Sequence, residues 1–186
     1  VSLGTLVWLT PWRMRRVTSF MDPFADPLDS GYQLSNALIA LGRGEWFGVG
    51  LGESVQKLYY LPEAHNDFLL SVIGEELGFA GVTLIILLFA FIVWRAMRIG
   101  VLADDGENRF PVYTAYGCAL WIGFQSFVNI GVNLGMMPTK GLTLPFMSYG
   151  GNSIIVGMLV IAMLQRIYLE NAPEKRREGS AWRTSS

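Results

Sequence analysis

"LGFAGVTLIILLFAFIVW", Leu77 to Trp94, runs for 18 residues without a charge and is closed by Arg95 and Arg98. It is long and apolar enough to cross a bilayer, and the flanking arginines suit its boundary. Just before it stands "YYLPEAHNDFLLSVIGEE", Tyr59 to Glu76, with Glu63, Asp67, Glu75, Glu76 and the single histidine, His65. Carboxylates at the entrance to a membrane are costly and tend to face a cavity or a partner.

Pro62 suits the first turn of a helix, so "PEAHNDFLLSVIGEELG" reads as helical. Glu63 and Asp67 are four apart and share a face with Asn66, Leu70, Ser71 and Gly74. Leu69, Val72, Ile73 and Leu77 form an apolar face elsewhere. The plain reading of Glu63 and Asp67 is complementarity to the positive end of the helix dipole. The functional reading is a polar site at the mouth of the span. Glu75 and Glu76 adjoin the apolar block and suit either a cavity or a partner. Gly74 and Gly78 stand at the spacing of a close helix contact.

Apolar residues make up 52% of the 186 and charged ones 16%, and the apolar residues come in blocks, which points to membrane spans. A net charge of −1 gives no reason to expect nucleic acid. One cysteine, Cys118, excludes an internal disulfide, and its apolar setting makes it a small buried residue. From Phe110 to Gln165 the sole charge is Lys140. That length holds two spans of about 20 residues, with the remainder at "MMPTKGLTLPFMSYGG". Pro138, Pro145, Gly141, Gly150 and Gly151 prevent a continuous helix there. Broken backbone at membrane depth survives where protein or water satisfies it, so segment 136–151 is expected to line a cavity. The last span is expected at about Asn152–Gln165, extended backwards.

Residues 1–12, "VSLGTLVWLTPW", are apolar but too short to span, and read as the end of a span whose start is missing. Residues 13–67 read as a large extracytoplasmic loop rich in Asp-Pro and Gly turns. The glycines of "LGRGEWFGVGLGESVQK" match no phosphate-loop spacing, and tight turns are the simpler reading. "SNALIALGR" suits a short amphipathic helix on the membrane surface. Residues 68–166 hold the membrane helices, and Arg95–Arg109 reads as a polar connection. Residues 167–186 read as a disordered cytoplasmic tail. Lys and Arg number eight on the side of that connection and the tail, and six on the other, which orients the chain. Arg13, Arg15 and Arg16 run against this orientation. The expected fold is an all-α, polytopic helical bundle of about three full spans plus the end of a fourth.

"GRGEWFGVGLGESVQKLYYLPEAHNDF…GEELG" and "MPTKGLTLPFMSYGG" resemble the SEDS family (shape, elongation, division and sporulation). The resemblance runs from about Arg13 to Arg166. "PEAH" and "PTKGLTLP" look like the cell-division branch more than the elongation branch. The resemblance implies an enzyme of the bacterial inner membrane, enriched at the division septum, that polymerises lipid II into peptidoglycan glycan strands. It implies a catalytic carboxylate at Asp67 and places the family's lysine and serine at Lys140 and Ser148. It further implies a class B penicillin-binding protein transpeptidase and other division proteins as partners.

The transfer needs a base for the attacking hydroxyl, cations for the departing pyrophosphate and a groove for two lipid tails. Asp67 suits the base. Lys140 suits the pyrophosphate, although a lone lysine also snorkels to an interface. Ser148, Thr139 and Thr143 hydroxyls, with Glu63 and His65, complete the candidate substrate contacts. A divalent cation, Mg or Mn, is a candidate cofactor, with Asp67 a candidate ligand. Two other readings stay open: a flippase for a lipid-linked precursor, and a non-catalytic division scaffold. Partner surfaces are expected on the loop, with Trp46 and Phe47 as anchors. The lipid-facing side of the spans Leu77–Trp94 and Pro111–Gly131 is the second, where Gly117, Cys118 and Gly123 allow close approach; the alternative is that these glycines pack the chain's own helices. Tyr59 stands where some relatives carry an acid, and a phenol with an ordinary pKa of about 10 is a poor base at neutral pH. Tyr59→Phe in the full-length protein should keep most glycan polymerisation, and a loss as deep as that of Asp67→Asn would contradict this.

Overall fold

The computed structural model describes residues 32–54, 67–104, 106, 108–138 and 141–171. Every regular element among them is helical: α1 (Tyr32–Arg43), α2 (Leu69–Leu102), α3 (Phe110–Asn133) and α4 (Gly151–Glu170). Three of these, α2, α3 and α4, are long and apolar enough to cross a membrane. Residues 1–12, the helical turn expected at Pro62 and most of the tail lie outside the described residues.

Several boundaries differ from the sequence reading. The segment from Arg95 is not a polar loop, because α2 continues to Leu102. Ala96 and Ile99 keep burying apolar surface there, while Arg95 lies over the Tyr168 ring at 5.1 Å and Arg98 over Trp94 at 5.6 Å. The last span begins at Gly151 and extends forwards, not backwards. Gly150 is extended and Phe146 has φ 66°, so helix cannot propagate back into the preceding segment. At the far end an Arg166–Glu170 pair at 2.6 Å, one turn apart, supports the added turn.

Helix α3 returns antiparallel along α2, and α4 returns along both. Apolar burial along this seam is the main cohesive contribution: Val82, Ile85 and Phe89 of α2 meet Ala115, Cys118, Ala119 and Ile122 of α3, with Val160 and Leu164 of α4. Cys118 is buried, as its setting implied. A Cβ on Gly123 would touch Val93 at 3.4 Å. Cys118 and Gly123 therefore pack the chain's own helices, the alternative to a partner surface at these two positions. Helix α1 exists, but it does not lie apart on a membrane surface. Its Leu34, Ala37 and Ala40 are buried against the bundle, and Leu41 packs over Gly74.

Helix α2 is broken inside the predicted span. Gly78 has φ 68° and ψ −164°. The helical bonds that Phe79 and Ala80 would make to Glu75 and Glu76 are replaced by a cross-exchange with the glycine-rich loop. Val49 N–H donates to Glu75 O at 3.0 Å and Gly50 N–H to Glu76 O at 3.2 Å. In return Phe79 N–H donates to Glu45 O at 2.8 Å and Ala80 N–H to Trp46 O at 3.2 Å. The break thus keeps its backbone groups paired, which an apolar setting demands. This pairing requires backbone-to-backbone approach. A Cβ on Gly44 would collide with Gly74 O, and one on Gly48 with Glu76 O. Gly44 and Gly48 are thus packing residues, which fits a folded loop better than a phosphate cradle.

Glu75 locks the same junction. Its side chain is fully buried, accepts the Ser54 hydroxyl at 2.5 Å and meets Arg43 at 3.4 Å. The acid expected to face a cavity or a partner therefore faces the chain's own loop. Gly48→Ala combines a collision with a left-handed backbone (φ 79°), and should cost about 2 kcal/mol or more. Gly42→Ala has open space at its Cβ and should change stability by less than about 0.5 kcal/mol. Thermal unfolding of the two detergent-purified variants checks the contrast.

Candidate functional site

Asp67 directly precedes α2, so the antiparallel packing sets it beside the C-terminal end of α3 and the irregular segment that follows. Three amide side chains line this end of α3 at one-turn intervals: Gln125, Asn129 and Asn133. Residues four apart share a helix face, and this face points at irregular backbone. Gln125 Nε2 donates to Thr143 O at 2.9 Å. Asn129 Nδ2 donates to Leu142 O at 2.5 Å and to Asp67 O at 3.2 Å. Asn133 Nδ2 donates to Asp67 O at 2.9 Å, and its Oδ1 accepts both Ser71 N–H, at 3.1 Å, and Ser71 Oγ–H, at 2.8 Å. Asn129 and Asn133 are almost wholly buried. Such groups are costly unless bonded, and here they satisfy carbonyls that no helix satisfies.

The sequence reading missed this ladder. Its signal was available: three amides at i, i+4 and i+8 in an otherwise apolar span. The helix expected from Pro62 starts at Leu69, so Asp67 stands in the turn before it and not on its face. Leu70, Ser71 and Gly74, expected to share a face with Asp67, are buried in the bundle.

Asp67 and the broken segment come together. A Cβ on Gly141 would lie 3.2 Å from Asp67 Oδ2. Lys140 and Thr139 precede Gly141 in sequence but lie outside the described residues, as do Glu63, His65 and Tyr59. Thr143 is half-buried, with its carbonyl on Gln125. Ser148 is fully buried and turned inward: its hydroxyl oxygen accepts Leu144 N–H at 2.8 Å. Phe146 sits in the left-handed region, φ 66°, and a Cβ on Gly157 would lie 2.6 Å from its ring. A backbone state costing about 1–3 kcal/mol persists because packing on α4 holds it. Beside the segment, α4 opens without a side-chain cap, and the buried Ser153 hydroxyl oxygen in its first turn has no protein partner. Among the described residues no group of three or more His, Cys, Asp or Glu side chains gathers to hold a metal ion.

Fold and site together define a multi-pass helical membrane protein with a polar site at one end of its spans. The chain belongs to the cell cycle protein family of FtsW, RodA and SpoVE, whose family model matches residues 1–172. It is 63% identical over 165 residues to a "Probable peptidoglycan glycosyltransferase FtsW" of Methylococcus capsulatus, covering 89% of this chain and 42% of that protein. It is 58% identical over 184 residues to a protein of the same description from Allochromatium vinosum, covering 97% and 46%. The chain therefore spans less than half the length of these relatives. A solved structure described as "Structural coordination of polymerization and crosslinking by a peptidoglycan synthase complex" contains a similar chain, with a TM-score of 0.68 and 29% identity. That match covers 92% of this chain and 46% of the other.

Ser148 serves the segment's own backbone, so Ser148→Ala should lower stability by about 1–2 kcal/mol through the unmet Leu144 N–H. Thermal unfolding measures it. Unchanged stability with weakened substrate use would instead assign Ser148 to the substrate.

Proposed function

We propose that the protein is a peptidoglycan glycosyltransferase that polymerises lipid II into glycan strands for septal wall synthesis in the bacterial inner membrane. The observation that carries the reading is the approach of the Asp67 carboxylate to Gly141, the residue after Lys140. Lys140 adjoins Gly141 in sequence, which supports a reading in which a base and a cation serve one site. The descriptions of the relatives in Methylococcus and Allochromatium support the same reaction class.

In the proposed step Asp67 takes the proton of the acceptor's 4-hydroxyl. The hydroxyl oxygen bonds to the donor's anomeric carbon from the side opposite the leaving group, which inverts that centre. The anomeric C–O bond to phosphate breaks, and its electron pair leaves with the lipid pyrophosphate. Lys140 balances that charge. The uncapped start of α4 adds backbone N–H groups at the same end, where a helix favours an anion. Asp67 is the described carboxylate that would hold a Mg or Mn ion, with the substrate's phosphates supplying further oxygens; the ion would neutralise pyrophosphate charge.

As partners we propose a class B penicillin-binding protein transpeptidase and other division proteins. Trp46 and Phe47, 69% and 86% exposed on the docked loop, offer a partner apolar anchors. The tail is placed in the cytoplasm by its Lys and Arg content. A second reading, a precursor flippase, is favoured by the break at Gly78 within a span, since broken helices build transport sites.

Reconstitution of the full-length protein with lipid II, scored separately for glycan chains and for lipid crossing, separates the two. Glycan chains are expected, and crossing without polymerisation would overturn the proposal. Asp67→Asn should abolish polymerisation, about 1000-fold or more, because a general base contributes at that scale, while insertion stays intact. Lys140→Ala should impair substrate use more than stability. Normal chain formation by the Asn variant would remove Asp67 as the base.

A further inference from the structure

We infer that Asn129 is a positioning residue which sets the separation between the base strand and the broken segment. The inference rests on the proposed function, and deepens it. The Asn129 Nδ2 group donates to Asp67 O at 3.2 Å and to Leu142 O at 2.5 Å. Those two carbonyls are 62 and 13 residues from it in sequence. One rigid amide thus ties the backbone of the proposed base to the backbone two residues beyond Lys140. Its neighbours on the ladder do less: Gln125 reaches only the segment, through Thr143 O, and Asn133 reaches only the Asp67–Ser71 side and Asn129.

The placement makes this bridge stiff. Asn129 is 2% exposed, so water does not compete for its bonds. It projects from a helix packed along α2, so its own position is fixed by the core. A transferring site needs base and leaving-group cation at a set distance, and a displacement of about 1 Å costs on the order of 100-fold in rate. Asn129 acts on the reaction through the backbone of Asp67 and has no part in proton transfer.

Asn129→Ala removes both donors. In the full-length protein reconstituted with lipid II, kcat should fall about 100-fold while KM changes by less than about threefold, because geometry is lost and ground-state binding is kept. Gln125→Ala is the matched control: it also removes an amide donor to the segment but leaves the bridge, and it should lose far less kcat for a similar fall in unfolding temperature. Equal losses, or losses that track unfolding temperature, would overturn the inference. Should Asn129→Ala fail to accumulate, Asn129→Ser keeps one donor hydrogen and should show the same kcat-against-KM split in weaker form; its absence overturns the inference equally. A second readout does not depend on activity. Spin labels at Leu69 and Met147 should give a broader distance distribution in the Asn129 variant than in the parent. An unchanged distribution overturns the bridge even if the parent makes no glycan. A broadened one in a parent without polymerase activity would uphold the bridge and leave the proposed function as the part that failed.

Discussion

A backbone amide or carbonyl without a partner is intolerable in hydrocarbon, and among the described residues the chain leaves the helix inside one span, at Gly78, and between two others, after α3. Each departure is matched by a dedicated set of polar groups. At Gly78 the partner is the backbone of the loop Glu45–Gly50, which trades four hydrogen bonds with the broken helix. In the segment after α3 the partners are the side-chain amides of Gln125, Asn129 and Asn133. The rest of the architecture follows from these two repairs. The loop must approach closely, so it carries glycine. The amides must be buried, so α3 turns its polar face inward and its apolar residues to both sides of it.

The two repairs meet at α2. Its first turns, Leu69 to Leu77, are held from one side by the loop and from the other by Asn133 on Ser71. Glu75, buried between Ser54 and Arg43, adds an ionic lock to the loop side. A buried acid adds little net stability, but removing one of its partners leaves an uncompensated buried charge. The first turns of α2, which follow Asp67, are therefore held from both sides.

The spans were legible in the sequence because uncharged blocks of bilayer length have few other meanings. Asp67 was singled out by the resemblance of its motif, because the residues alone left it open between a partner for the helix dipole and a polar site. The break at Gly78 was not legible, since a lone glycine in a helical pattern is tolerated, and its meaning lies in a loop some 30 residues earlier. The amide ladder was visible as a spacing, but its purpose depends on which carbonyls the fold lays beside it. The burial of Cys118 was legible from its apolar setting, whereas the side to which Gly123 turns depended on the α2–α3 seam, which periodicity alone does not orient when a helix is apolar all round.

The central claim is that Asp67 and the broken segment form one site at one end of the spans. Cysteines at positions 67 and 141, in a full-length protein whose Cys118 is replaced by alanine, measure it directly in native membranes with a short bifunctional crosslinker. A Val93–Gly123 cysteine pair across the α2–α3 seam serves as the packing control. The account predicts efficient crosslinking of both pairs. Crosslinking of the control pair with none between positions 67 and 141 would contradict it.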